Sequence, residues 1–309
     1  MPIRLPAQFP AAHRLGEEGI ATLTHMRAVT QDIRPLQVII MNLMPAKVDT
    51  EVQLLRLLSN SSIQIESYFL RTVTHNVKYE AEHLDRFYVD FNDIINKKFD
   101  AIIITGAPLE QLAFEEVDYW DELVKVINWA SNNVFAELFI CWGAAAGLYV
   151  DFGVEKVNLS EKISGIFQHT KCRMNRLTRG FDDVFNIPHS RYTMPDPQQL
   201  NELVEQGKLI TLVDSPETSA TILTTPHMHK TYILGHLEYD RETLDTEYRR
   251  DLRRGINAKI PRNYYPNDDY METPQFSWRA TASLFFGNWI DYVYQETPYD
   301  LSKLIPCKF

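Results

Sequence analysis

Cys141 follows the apolar run Leu138-Phe139-Ile140 and precedes the small residues Gly143, Ala144, Ala145, Ala146 and Gly147. A cysteine at such a junction can act as a nucleophile. The run has strand length, and the small residues permit a tight turn into a closely packed helix. The N-terminus of that helix would offer backbone N–H groups and a positive dipole end, which favour both a thiolate and a developing oxyanion. This is the arrangement of a nucleophile elbow, with sulfur in place of the serine oxygen. A second apolar run, Tyr232-Ile233-Leu234, leads into Gly235-His236-Leu237-Glu238. Residues two apart in an extended segment project to one side, so His236 and Glu238 can share a face. The imidazole would take the thiol proton, and the carboxylate would orient the ring and favour its charged form. Free cysteines are also common as small core residues. The pattern around Cys141 alone does not separate these readings; the His236–Glu238 pair at a comparable strand end favours chemistry.

The elements that must position these groups are visible as alternating apolar runs and helical stretches. Segments 36–42, 101–104 and 138–140 are nearly continuous apolar runs, as strands buried on both faces require. Ile63, Ile65 and Phe69 mark another strand. Thr50 followed by Gln53 resembles a capping box, ahead of a helix that carries Val52, Leu55 and Leu58 on one face. The pattern predicts helices over 117–130 and 278–294, with further strands at 209–213, 221–224 and 231–234. Such alternation implies an α/β fold with a mainly parallel sheet flanked by helices, whose ligands bind at the carboxyl ends of the strands. No repeat, low-complexity tract or shift in composition divides the chain, so one domain with loop insertions, 1–309, is expected.

Composition narrows the function classes. The formal net charge is −10, and nucleic-acid binding needs a concentrated basic face. The one dense basic run, Arg249, Arg250, Arg253 and Arg254, is interleaved with acids in a helical stretch. It reads as a solvated face from which one arginine could turn inward to hold an anionic substrate. No stretch of about eighteen apolar residues suggests a membrane span, and the N-terminus lacks the apolar core of a secretory signal. Cys141, Cys172 and Cys307 form neither a disulfide framework nor a zinc-ligand spacing. A cytoplasmic protein without a metal centre is the expectation, with Cys172 and Cys307 dispensable.

These residues and their flanks resemble the homoserine O-acyltransferases of methionine biosynthesis, the family first known as homoserine transsuccinylases. The likeness runs through Met1-Pro2-Ile3-Arg4, Asn42-Leu43-Met44-Pro45, Leu54-Leu55-Arg56-Leu57-Leu58, Ile104-Thr105-Gly106-Ala107-Pro108, Cys141-Trp142, Thr178-Arg179-Gly180-Phe181-Asp182-Asp183, Pro188-His189-Ser190-Arg191-Tyr192 and Trp289. It implies a flavodoxin-like core related to class I glutamine amidotransferases, and a Cys141–His236–Glu238 triad. It further implies acyl transfer in two stages. Cys141 takes the acyl group from acyl-coenzyme A, and an amino-acid hydroxyl then removes it with His236 as base. Backbone N–H groups near Trp142 would hold the oxyanion. Lys162, Ser190 and Arg250 match the family's amino-acid-binding positions, and an arginine suits a carboxylate because it can donate two parallel bonds. Lys47 matches an active-site lysine. The resemblance implies no bound cofactor, acetyl-CoA as co-substrate, and a homodimer.

Glu110 matches the position that separates acetyl from succinyl users, glutamate going with acetyl. A carboxylate there fills space and repels the free carboxylate of a succinyl group. The acceptor is more open. Where the family usually has glutamine shortly after the cysteine, this chain has Ala145, and 172–175 and 215–230 also diverge. Homoserine is the first choice; L-serine, one methylene shorter, is the alternative. Other classes are a glutamine amidotransferase or cysteine hydrolase with the same triad, and a binding module that has lost catalysis.

Overall fold

In the computed structural model, residues 3–5, 9–17, 22–23, 34–74, 81–256 and 258–305 are described; Met1, Pro2 and Cys307 lie outside them. The apolar runs become the middle of a 12-stranded sheet. In chain order its strands are β1 (Ile3–Arg4), β2 (Thr22–Leu23), β3 (Leu36–Met41), β4 (Ile65–Leu70), β5 (Tyr88–Val89), β6 (Phe99–Ile104), β7 (Val134–Ile140), β8 (Lys156–Lys171), β9 (Val184–Pro195), β10 (Ile210–Asp214), β11 (Ile222–Thr224) and β12 (Lys230–Ile233). They lie in the order β2-β1-β4-β3-β6-β7-β12-β11-β10-β8-β9, with β5 beside β4.

From β2 to β12 the neighbours run parallel, and every residue of β6 and β7 is buried. Burial on both faces follows from helices on both sides. The Trp120–Asn133 helix packs Leu123, Val126 and Ile127 into one layer, and the Arg279–Glu296 helix packs Phe285, Phe286 and Trp289 into the other. The chain leaves β3 toward β4 on one side and returns to β6 on the other, so the order reverses between β3 and β6. That reversal opens a crevice at the carboxyl ends.

The remaining strands form an antiparallel wing, β12-β11-β10-β8-β9. The strand pair β8–β9 had not been expected. One face of β8 meets solvent, so its sequence has no apolar run, and a register shift between Asn158 and Ile163 breaks the period of two. The capping-box reading of Thr50 is corrected as well. The helix begins at Lys47, and Thr50 lies inside it with its hydroxyl donating to the Ala46 carbonyl at 3.1 Å.

A buried ion network ties together the elements that carry the site. Lys230 on β12 donates to Asp151 at 2.6 Å and lies 3.5 Å from Glu137, its register partner on β7. The Tyr232 hydroxyl donates to the other Asp151 oxygen at 2.6 Å. Burial, only partly offset by Lys230, raises the Glu137 carboxyl to about 8. Asp151 lies in the last turn of the Trp142–Phe152 helix, so the network pins that helix to the strands leading to Cys141 and His236.

Candidate active site

Cys141 stands between the end of β7 and the Trp142–Phe152 helix, with φ 50° and ψ −113°. A positive φ is costly for a side chain with a Cβ and persists only where the surroundings enforce it. They do here. The Cys141 N–H donates to the Ile233 carbonyl at 2.7 Å, and its carbonyl accepts from Ala145 N–H at 3.0 Å. Gly143 lets the turn close, because a Cβ there would lie 2.5 Å from the Thr105 carbonyl oxygen. The first N–H groups of the helix have no intrahelical acceptor, and Cys141 is the residue that caps that helix start.

His236 leaves the parallel neighbour of β7 at the same sheet end. Its backbone N–H donates to Pro188 at 2.8 Å. Gly235 makes the approach to β9 possible, since a Cβ there would be 2.7 Å from Ile187 and 3.0 Å from the Pro188 carbonyl oxygen. The ring stacks on Tyr239 with centroids 3.9 Å apart, and its Nδ1 is 2.6 Å from Glu238 Oε1. The imidazole lies beside Cys141, both packing against Gly106. Burial alone would lower its pKa, but facing Cys141 and Glu238 raise it well above the ordinary value. Sulfur thus meets imidazole and carboxylate from two distant parts of the sequence, Cys141 and the His236–Glu238 segment. Cys141 and His236 are 8% and 3% exposed, which keeps water from diluting their interaction.

Glu110, Trp142 and Ala145 line a small cavity with Cys141. Burial raises the Glu110 carboxyl, against the opposing charge of Lys162. Trp142 is buried against Phe114 and Tyr119, and among the described residues its Nε1 has no partner.

Lys162, Ser190 and Arg250 gather in a second cluster around two carboxylates of the Thr243–Arg253 helix. Lys162 on β8 is 3.0 Å from Asp251 and 3.8 Å from Glu247. The Ser190 hydroxyl on β9 donates to Glu247 Oε2 at 2.5 Å, and Tyr239, the residue stacked on His236, donates to Glu247 Oε1 at 2.7 Å. Arg250 holds Asp251 Oδ1 through Nε at 3.0 Å and Nη2 at 2.9 Å. Of the basic run, Arg250 is the half-buried member, and Arg249 pairs outward with Asp245. Cations and carboxylates this close suit a zwitterion, with one sign for each of its charged ends. Lys47 is elsewhere. It opens the Lys47–Leu58 helix, donates to the Asn42 carbonyl at 2.7 Å and lines a different cleft.

Four participants were missed in the sequence. Glu247 and Asp251 are four apart, on the helical face from which Arg250 also turns, a spacing that could have revealed them. Tyr239 follows Glu238 directly and offered no separate signal. Arg191 is 3% exposed and lines the Cys141 cavity. In the sequence it appears only within the Pro188-His189-Ser190-Arg191-Tyr192 likeness, with nothing to set it beside Cys141. Among the described residues no helix is long and apolar enough to cross a membrane, and no group of His, Cys, Asp and Glu could hold a metal ion.

Solved structures share the fold at low sequence identity. A glutamine amidotransferase from Thermotoga maritima superposes with TM-score 0.51 at 10% identity, covering 84% of this chain and 99% of that one. Another from Methylobacillus flagellatus gives TM-score 0.51 at 11% identity, covering 84% and 96%. Sequence relatives are much nearer. The homoserine O-acetyltransferase of Desulfovibrio desulfuricans is 48% identical over 98% of this chain and 97% of its own length. That of Brevibacillus brevis is 48% identical over 98% and 99%. The family model described as homoserine O-succinyltransferase matches residues 2–299, and the chain belongs to that family.

Proposed function

We propose that this chain transfers an acetyl group from acetyl-CoA to the hydroxyl of L-homoserine, giving O-acetyl-L-homoserine, by way of a thioester on Cys141. The observation that carries the reading is the convergence of Cys141 with the Glu238-bonded His236 at one sheet end. The Cys141 thiolate attacks the thioester carbonyl, helix N–H groups beside Trp142 hold the oxyanion, and the coenzyme leaves as its thiol with a proton from His236. The acceptor hydroxyl then gives its proton to His236 and attacks the acyl-enzyme, returning the cysteine sulfur. Lys162, Ser190 and Arg250 bind the amino-acid acceptor. Residues 1–309 act as one acyltransferase domain, in the cytoplasm, on small molecules and without a bound cofactor.

Glu110 supports acetyl as the acyl group. It borders the cavity at Cys141, where the far end of a longer acyl chain must go. A carboxylate in that position repels the carboxylate of a succinyl group and fills the space it needs. Glu110→Gly is expected to shift the ratio of kcat/KM for succinyl-CoA over acetyl-CoA by about tenfold or more. Side-by-side kinetics with an unchanged ratio would refute the assignment.

L-Serine remains the second acceptor reading, because Ala145, in place of the usual glutamine, borders the same cavity. One methylene typically changes discrimination by only ~1–3 kcal/mol. The deciding experiment crosses acetyl- and succinyl-CoA with L-homoserine and L-serine on the purified enzyme. The acetyl-CoA and homoserine pair should give the highest kcat/KM. Turnover that needs no amino acid would identify a hydrolase instead.

A further inference from the structure

The reversal of strand order between β3 and β6 leaves a cavity of about 550 Å³, inside the ~300–1,000 Å³ range of small-molecule sites. Leu43, Met44 and Pro45 form its wall on the β3 side, and Leu112 and Val117 form it on the β6 side. Its place in the fold is where open α/β sheets bind ligands.

Its relation to the nucleophile gives it a purpose. A single stretch, residues 106–110, runs between the two. At one end Gly106 faces Cys141 and His236, its Cβ direction reaching 3.4 Å from Cys141 Cβ and 3.7 Å from His236 Cε1. In the middle, Ala107, Pro108 and Leu109 line the cleft. At the other end, Glu110 lines the Cys141 cavity. That cavity is only about 10 Å³. A volume that small is about the room of one water, so the body of a donor must lie elsewhere.

We propose that the cleft between the loops leaving β3 and β6 holds the pantetheine arm of the acyl-coenzyme A donor, with its thioester end turned over Gly106 toward Cys141. The assignment rests on the acyl-CoA reading above. The arm is a narrow chain of methylene, gem-dimethyl and amide groups, which suits a cleft with apolar walls and loop backbone. The charged residues of the lining are Lys47 and Arg71, set against Glu116 and Asp118, and Lys47 is the cation suited to the phosphate beyond the arm. The cluster around Lys162, Ser190 and Glu247 belongs to β8, β9 and the Thr243–Arg253 helix, so acceptor and donor reach the sulfur from different sides. The donor arm need not leave the acceptor site before the second stage begins.

The test fills the cleft without touching the nucleophile. Leu112 is 41% exposed, and Met44 lies in a loop, so Met44→Trp and Leu112→Trp should fold, which thermal melting checks. Two measurements follow. By calorimetry, the double variant should bind free coenzyme A about tenfold or more weakly. The ratio of kcat/KM for acetyl-CoA over the short thioester S-acetyl-N-acetylcysteamine should fall by a similar factor. An unchanged Kd for coenzyme A in the folded double variant overturns the assignment, as does an equal loss with both donors. The acyl-enzyme reading fails separately. If coenzyme A binds in a cleft-dependent way but Cys141 is never acetylated, the cleft stands and that chemistry falls. If the short thioester acetylates Cys141 but coenzyme A does not bind, the cleft assignment falls and the chemistry stands.

Discussion

Cys141→Ala is expected to abolish acetyl transfer, with a loss in kcat of at least about 10³-fold, and His236→Asn should cost about as much. The double variant should be little worse than either, because groups that act as one unit do not contribute additively. Intact-mass spectrometry of wild-type protein mixed with acetyl-CoA alone should find the acetyl group on Cys141. Neither variant should carry it. Both should fold, since alanine removes only a sulfur from a closely held turn and asparagine keeps a polar group facing Glu238. Full activity in Cys141→Ala would end the mechanistic argument. The pH dependence has a definite sign. Facing Cys141 and Glu238 raise the His236 imidazole well above its ordinary value against the effect of burial. The imidazolium needed to protonate the departing coenzyme therefore persists through neutral pH, as does the stability its charge contributes. That contribution is complete below the unfolded value of about 6.5 and is lost as pH rises through the raised folded value. The kcat/KM for acetyl-CoA should fall along the same alkaline limb, and Glu238→Gln should move that limb to lower pH.

The parallel half of the sheet was legible because helices cover both its faces. β3, β6 and β7 had to be almost wholly apolar, and such runs stand out from any background. The meeting of Cys141 and His236 followed from the same logic, since both end strands that turned out to be parallel neighbours. The antiparallel wing was obscure for the converse reason. β8 alternates imperfectly, carries a register shift and exposes one face, so apart from the family likeness nothing along the chain marked Lys162, which β9 and the Thr243–Arg253 helix place in the cluster. Thr50 misled because a threonine followed by a glutamine has the same spacing inside a helix as at its start. Lys47 shares an active-site resemblance with Cys141 but lies across the 106–110 stretch from it, a separation that depends on strand order and cannot be read along the chain.

Arg191 is the buried group whose position most changes the expected chemistry. Its Nη2 donates to the Thr218 carbonyl at 2.7 Å and its Nη1 to the Leu234 carbonyl at 3.5 Å. Among the described residues its Nε has no partner and no carboxylate pairs with it. Burial lowers its pKa to about 10, opposed by Cys141, so it remains a cation at neutral pH. A buried charge held by carbonyls alone is costly, and negative charge on the Cys141 sulfur is the nearest compensation. The other groups around the sulfur are His236, Glu238, Tyr239 and Glu110, of which only His236 carries positive charge. His189 and His169, behind Arg191, are held neutral by burial and by its charge, His169 near 4. Arg191→Gln removes the cation while leaving a hydrogen-bonding group for the carbonyls. The thiolate–imidazolium pair should then form less readily, so the acid limb of kcat/KM moves up by about one pH unit, equivalent to ~1.4 kcal/mol. Alkylation of Cys141 by iodoacetamide at pH 7 should slow by about tenfold. Arg191→Lys keeps the charge but cannot span both carbonyls, and should fall between the two. A purely structural arginine would give a different result: less folded protein, with the acid limb of whatever activity remained unmoved.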